Sequence, residues 1–239
     1  MRADLRGVVR LLGIPFTCGM MKLAGLILAG GRSSRMGGPP KALIELVGMT
    51  LLERTVAVIT PQVDDLAINL PPDLDLPNLT LPVVRDEMPT FEGPLAGVLA
   101  GLQRAVSMPL RPTCLLTAPV DLPFLPAELA ARLAAGIDGP DTIVFAEGPS
   151  GRAPLCALWP LSAAPRLSAF LAGGTDRRVG AFLAGERTRG VTFAPIAVGG
   201  ATVDPFFNIN TPDDLAKAAE LVAAGRPWSS RRAESGSPP

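Results

Sequence analysis

Short apolar runs, each closed by glycine or proline and most followed by a stretch of helical period, recur from Lys22 to Gly225. That repetition constrains the chain more than any other feature. KLAGLILA (22–29) is apolar on both alternating faces, the pattern of a strand buried on both sides of a parallel sheet. DLAINL, LTLPVV, TCLLTA, TIVFAE, PLCALW and VTFAPI read as further strands. Between them lie helical patterns with their own start and stop signals. Thr50 and Glu53 form a T-x-x-E capping box ahead of LLERTVAVI, and Pro94 opens LAGVLAGLQRAV. PAELAARLAAG starts with proline and stops at glycine, LSAAPRLSAFLAGG and DRRVGAFLAG follow, and Thr211 caps PDDLAKAAELVAAG. Strands alternating with helices at this spacing predict a three-layer α/β/α domain with a mostly parallel sheet over residues 22–225.

The two ends stand outside that pattern. Residues 1–21 read as a flexible extension or the product of an upstream start. Arg6 and Arg10 interrupt the apolar stretch a signal peptide needs, and Met20 and Met21 stand directly before the first strand. Residues 226–239, RPWSSRRAESGSPP, are polar and rich in proline and serine, the composition of a disordered tail.

Composition removes whole classes of chemistry. The 239 residues contain no histidine, which excludes histidine general bases, Ser-His or Cys-His nucleophile pairs and His-ligated zinc or haem. Twenty-two basic and 22 acidic side chains balance, arguing against a nucleic-acid-binding surface. Cys18, Cys114 and Cys156 are far apart and form no C-x-x-C, so neither a disulfide scaffold nor a zinc ribbon is expected. No run of about 20 apolar residues is present, so no membrane span is expected and a cytoplasmic protein is. The chemistry must run on carboxylates, lysine, arginine, backbone dipoles and any metal ion that these groups bind.

The loop after the first strand is the most informative segment. LILAGGRSSRMGGPPKALIEL follows a strand of a parallel sheet, and ligands sit outside the carboxyl ends of such strands. Gly30 and Gly31 let backbone N–H groups approach a polyphosphate, and Arg32, Arg35 and Lys41 can neutralise its oxygens. Neither G-x-x-x-x-G-K-[ST] nor G-x-G-x-x-G fits: Gly37 and Gly38 are followed by two prolines before Lys41.

L-A-G-G-x-S-x-R-M-G followed by lysine resembles the signature of nucleotidyltransferases of the sugar-nucleotide type, and most closely the molybdenum cofactor guanylyltransferase family. Four later segments match that family in order: VVRDEMPTFEGPLAGVLAGL, TAPVDLPFLP, TDRRVGAFL and FFNINTPDDL. The likeness spans residues 22–225 and implies a Rossmann-like nucleotidyltransferase domain that moves GMP from GTP to the phosphate of molybdopterin, releasing pyrophosphate. Carried over position by position, Leu28, Ala29 and Gly30 fall on the GTP-contacting loop, and Lys41 on its phosphate-binding lysine. Asn69, Asp86 and Asp121 also fall on GTP-binding positions, with Asp121 as the Mg²⁺ ligand; by the residues alone, a turn role stays open for Asn69 and Asp86 and a turn cap for Asp121. Arg35, Lys41 and Asp121 are the expected catalytic residues. Arg177, Arg178, Asn208 and Asn210 are candidates for the molybdopterin side. For Asn210 a role in capping the last helix stays open, and for the two arginines so does a solvated helix surface. Other proteins of molybdenum cofactor biosynthesis are the expected partners.

Three departures bear on the loop. Pro40 stands where the family commonly has aspartate, Ala42 where glycine is frequent, and Asn69 is followed by Leu-Pro-Pro without a second asparagine. The missing histidine fits, because a phosphate monoester is already ionised at neutral pH and attacks without a general base. Two other readings compete. A cytidylyltransferase of the same cofactor resembles L-A-A-G where this chain has Leu28-Ala29-Gly30-Gly31, and glycine leaves room for a purine. A non-catalytic cofactor-binding protein is expected to lose the metal carboxylate or the loop cations, and both are present.

Overall fold

The first strand, β1 (Leu23–Leu28), is buried along all six residues, and the burial has two sides. Leu23 and Ile27 join one apolar cluster, whereas Ala24, Leu26 and Leu28 join another on the opposite face. A helical layer covers each face, so alternate residues of the run must both be apolar. This is a computed structural model. It describes residues 21–30, 39–72, 74–76, 79–85, 93–173 and 176–225. The N-terminal extension through residue 20, the tail from 226, the glycine loop from Gly31 to Gly38 with Arg32 and Arg35, and Asp86 lie outside the described residues.

After β1 come a small hairpin, β2 (Glu45–Leu46) and β3 (Met49–Thr50), and helix α1 (Leu51–Ile59). The expected capping box is present: Glu53 N–H donates to Thr50 Oγ1 at 3.1 Å and Thr50 N–H to Glu53 Oε2 at 2.7 Å. Strands β4 (Asp65–Leu70) and β5 (Val83–Arg85) precede α2 (Pro94–Ser107), and β6 (Cys114–Pro119) precedes α3 (Leu129–Ala135). Then follow β7 (Ile143–Gly148), β8 (Gly151–Pro160), α4 (Ala163–Gly173), α5 (Val179–Ala184) and β9 (Thr188–Thr192). A hairpin of β10 (Ile196–Val198) and β11 (Ala201–Val203) leads to α6 (Pro212–Ala224).

Seven strands form one sheet in the order β5-β4-β1-β6-β8-β7-β9. All neighbours are parallel except β8, which runs against both β6 and β7. The main sheet is therefore mostly parallel, flanked by α1, α3 and α6 on one face and α2, α4 and α5 on the other. This is the expected three-layer arrangement. From β1 the chain passes to β4 and β5 on one side and returns to β6 on the other. The crevice at the carboxyl ends of β1 and β6 is thus a topological switch point, where ligands of open α/β sheets bind.

Several boundaries differ from the sequence reading. LTLPVV becomes a strand only at Val83, because Pro82 has no N–H to offer and its carbonyl takes the Ile68 N–H at 3.0 Å. Helix α3 begins at Leu129, not at Pro126. Buried Gln62 holds that turn, donating to the Pro126 carbonyl at 3.2 Å and accepting from Ala130 N–H at 2.9 Å. VTFAPI is displaced: β9 starts earlier and stops before Phe193, whose N–H goes to the Glu147 carbonyl at 2.7 Å. PLCALW is the latter half of a ten-residue antiparallel strand.

Candidate active site

Three strand ends are level at the switch point. Leu28 pairs with Asn69 of β4 and with Pro119 of β6. The ladder continues one residue further on each side, Ala29 N–H to the Asn69 carbonyl at 3.1 Å and Val120 N–H to the Leu28 carbonyl at 3.0 Å. Leu28 and Ala29 are thereby buried in the floor, and exposed Gly30 leaves it towards the crevice. Asp121 follows β6 by two residues and arrives at the same rim.

Lys41 reaches Asp121 from across 80 positions of sequence. Its Nζ donates to Asp121 Oδ2 at 2.9 Å and to Asn210 Oδ1 at 2.8 Å. The side chains of Lys41 and Asp121 are 11% and 17% exposed, so water screens the pair little. Pro40 is extended and its carbonyl accepts the Leu43 N–H at 2.8 Å, closing a single 3-10 turn over Lys41–Leu43. Ala42 is buried in the core. With Pro40 and Ala42 at the departed positions, Lys41 still meets Asp121.

Asp121 Oδ1 is buried and finds no hydrogen-bond partner among the described residues. An acceptor in that state carries a desolvation cost of about 1–3 kcal/mol, more for a charged group, until a donor or cation meets it. No cluster of three or more metal-ligating side chains occurs among the described residues. A Mg²⁺ ion fits such a place, because it takes one or two carboxylates and fills its shell with phosphate oxygens and water.

In the N-I-N segment Ile209 is buried and Asn208 and Asn210 are exposed. Ile209 N–H donates to the Asp121 carbonyl at 3.0 Å, which fixes the segment against the end of β6. Asn210 N–H donates to Asp214 Oδ2 at 3.0 Å, and Thr211 and Asp214 complete a capping box at the start of α6. Asn210 thus joins the helix cap through its backbone and Lys41 through its side chain. Asn208 lines a cavity of about 290 Å³ beside Asp121, together with Pro119, Leu122, Arg152, Cys156 and Val179. Asp204 holds the lip of that cavity, accepting from Ser150 N–H at 2.9 Å and Phe206 N–H at 2.8 Å. Burial pushes the Cys156 thiol far up, and the neighbouring Asp121 charge pushes it further, so it stays protonated and is no nucleophile. A groove of about 390 Å³ between α3 and β9 contains none of these residues.

Asn69 sits behind Gly30. Its side chain is buried, its Nδ2 donates to the Val84 carbonyl at 3.2 Å, and its Oδ1 lies 3.6 Å from where a Gly30 Cβ would stand. Arg178 is exposed and folds back onto Asp176, with Nη2 to Oδ2 at 2.7 Å, which holds the Asp176 carboxyl at about 2. Arg177 precedes it at the entrance to α5, whose first residue, Val179, reaches the cavity. The structure therefore brings Lys41, Asp121, Asn210, Asn208, Leu28, Ala29 and Gly30 to one crevice. Arg35 and Asp86 lie outside the described residues. The β7–β8 turn also brings Ser150 and Arg152 to the cavity, residues outside the sequence expectations whose signal is the hairpin run G-P-S-G.

A parallel-sheet crevice with a lysine on a carboxylate, a carboxylate oxygen without a partner among the described residues and an adjoining cavity suits the binding of phosphates. Comparison with known proteins gives its class, a nucleotidyltransferase. The chain matches the MobA-like NTP transferase domain over residues 25–189. It is 41% identical over 199 residues to a molybdenum cofactor guanylyltransferase of Sinorhizobium fredii, covering 82% of this chain and 90% of that protein. A molybdenum cofactor guanylyltransferase of Rhizobium meliloti is 43% identical over 194 residues, covering 81% and 88%. The chain belongs to the MobA-like NTP transferase family. Its fold is shared by the molybdopterin-guanine dinucleotide biosynthesis protein A of Archaeoglobus fulgidus, with TM-score 0.61 and 23% identity over 84% of this chain and 98% of that one. Among the described residues, no helix is long and apolar enough to cross a membrane.

Proposed function

We propose that the protein transfers GMP from GTP to the terminal phosphate of molybdopterin, forming the guanine dinucleotide and releasing pyrophosphate. The observation that carries this reading is the meeting of Lys41, Asp121 and Asn210 at the β1–β6 crevice, beside a cavity that leaves room for an acceptor. The activity named in its close relatives points the same way. Leu28, Ala29 and Gly30, with Asn69 behind them, form the GTP side, and Lys41 holds its phosphates. Asn208 faces the acceptor cavity, and Arg177 and Arg178, next in the chain to Val179 of its lining, are the candidate cations for the acceptor's phosphate.

One oxygen of the acceptor phosphate forms a bond to the α-phosphorus of GTP, and the bond from that phosphorus to the α–β bridging oxygen breaks. Asp121 and the substrate phosphates would hold Mg²⁺, which when bound neutralises charge on the reacting phosphoryl group. The rest is positioning. The loop floor orients the nucleotide, Lys41 offsets negative charge, and the cavity sets the acceptor in line. No residue has to remove a proton, since the nucleophile is ionised. We place the reaction in the cytoplasm, which suits the free, buried thiols Cys114 and Cys156, and expect other cofactor-biosynthesis proteins to supply the acceptor and receive the product.

The test is turnover with molybdopterin, Mg²⁺ and each of GTP, CTP, ATP and UTP. The guanine dinucleotide should form at least tenfold faster than the others, a preference of about 1.4 kcal/mol. Preferred use of CTP would turn the assignment to the cytidylyl branch. Nucleotide binding without product would make the protein a carrier.

A further inference from the structure

The ammonium of Lys41 holds one oxygen, Oδ2, of the carboxylate that a divalent cation would need, and the other, Oδ1, is buried without a hydrogen-bond partner among the described residues. The ammonium sits 2.9 Å from Asp121 Oδ2, largely out of water, and a second acceptor, Asn210 Oδ1, holds it there at 2.8 Å. Asn210 is itself fixed. Its backbone N–H is tied to Asp214 in the capping box of α6, and its neighbour Ile209 is tied to the Asp121 carbonyl. The amide oxygen is therefore aimed at the ammonium by the last helix of the domain, 169 positions from the lysine it receives.

We propose that Lys41 and the divalent cation are alternative occupants of Asp121, and that Asn210 is the positioning residue that stations the lysine there before nucleotide arrives. This inference rests on the nucleotide–metal reading of the crevice. Two cations share one carboxylate unfavourably unless other negative charge is present, because like charges repel and Asp121 supplies one negative charge. The triphosphate brings that charge. Lys41 then moves onto the phosphates and the metal takes its place, so metal and nucleotide enter together. Asn210 belongs to the lysine in this account, not to the acceptor, and Asn208 alone of the pair faces the acceptor cavity.

The consequence is opposite in sign for the two ligands. Mn²⁺ serves as the probe, and its binding to the full chain is followed by the electron paramagnetic resonance of the free ion. Without nucleotide, Lys41→Met should bind Mn²⁺ about tenfold or more tightly than the unaltered chain, the factor one charge-assisted hydrogen bond supplies. The same variant should bind GTP less well. Asn210→Ala, which keeps the ammonium but removes one of its two acceptors, should fall between the two for Mn²⁺. Adding Asp121→Asn to Lys41→Met should erase the gain. A structural defect does not raise metal affinity, so the direction of change separates positioning from damage. Equal Mn²⁺ affinity in the unaltered chain, Lys41→Met and Asn210→Ala overturns the exchange, even where GTP still strengthens Mn²⁺ binding through Asp121. If GTP leaves Mn²⁺ affinity unchanged and Asp121→Asn does too, the nucleotide–metal reading falls, and the exchange with it.

Discussion

Gly97→Ala tests how the crevice floor is built, and the structure sets its cost. Gly97 lies in the first turn of α2, directly above Asn69. A Cβ there would stand 2.7 Å from Asn69 Cγ and 3.2 Å from Nδ2, and nearer still to Oδ1. The amide has nowhere to withdraw, because it is 4% exposed and donates to the Val84 carbonyl at 3.2 Å. Overpacking costs about 1–3 kcal/mol, and losing the buried hydrogen bond costs about 1–3 kcal/mol more. Alanine's better helix propensity returns about 1 kcal/mol. The net loss is then about 1–5 kcal/mol, or a fall in Tm of very roughly 2–20 °C at 2–4 °C per kcal/mol. Urea unfolding measures it. Gly180→Ala is the control: its Cβ would meet nothing within 4 Å, so there the helix gains and nothing clashes. A double-mutant cycle with Asn69→Ala should recover part of the loss, since the clash disappears with the amide. Full additivity of the two substitutions, or a Gly97→Ala cost no larger than that of Gly180→Ala, would refute the close packing of α2 on Asn69.

Other expectations follow from particular positions. Gly30 has no left-handed φ, and its Cβ would lie 3.6 Å from Asn69 Oδ1, an ordinary contact. Gly30→Ala should therefore leave stability within about 1 kcal/mol while lowering use of GTP relative to CTP; an unchanged GTP/CTP ratio would remove Gly30 from base selection. Gly199 and Gly200 both adopt positive φ, 58° and 82°, but only Gly199 packs on α6, where a Cβ would lie 2.8 Å from Ala224 Cβ and meet the Leu221 carbonyl. Gly200→Ala should cost about 1 kcal/mol from the backbone alone, and Gly199→Ala distinctly more; equal Tm values would contradict that contact. With no histidine in the chain, the pH profile of kcat/KM between pH 5 and 8 should follow the acceptor phosphate, whose second pKa is about 6. An inflection that does not track the acceptor's own titration would place a protein group in the step.

The local parts of this architecture were legible, and the long-range parts were not. The β1 run, the Thr50–Glu53 box, the Pro94 helix start and the Thr211 cap each announce themselves within a few residues, because caps and buried strands are local physics. The direction of β8 is not in its own sequence: PLCALW reads alike parallel or antiparallel, and only the Gly148–Gly151 turn decides. The start of α3 depended on Gln62, 68 positions from Ala130. At the site, Asp121 could be placed from the strand before it. The pairing of Lys41 with Asn210 had no local signal, since nothing near Asn210 distinguishes a lysine's acceptor from a helix cap. Its backbone does help cap α6, and its side chain does something else.

Transfer of label from α-labelled GTP to molybdopterin in the presence of Mg²⁺, compared between the unaltered chain and Asp121→Asn, shows whether Asp121 and its lysine sit where GMP is transferred. The substitution keeps an acceptor for Lys41 and removes the charge, so far-ultraviolet circular dichroism should stay the same. Label should pass to the pterin product in the unaltered chain, and the rate should fall by about 10²–10³ in the variant, the cost of losing one partner to transition-state charge. Transfer by Asp121→Asn at the unaltered rate would remove Asp121 from the reaction.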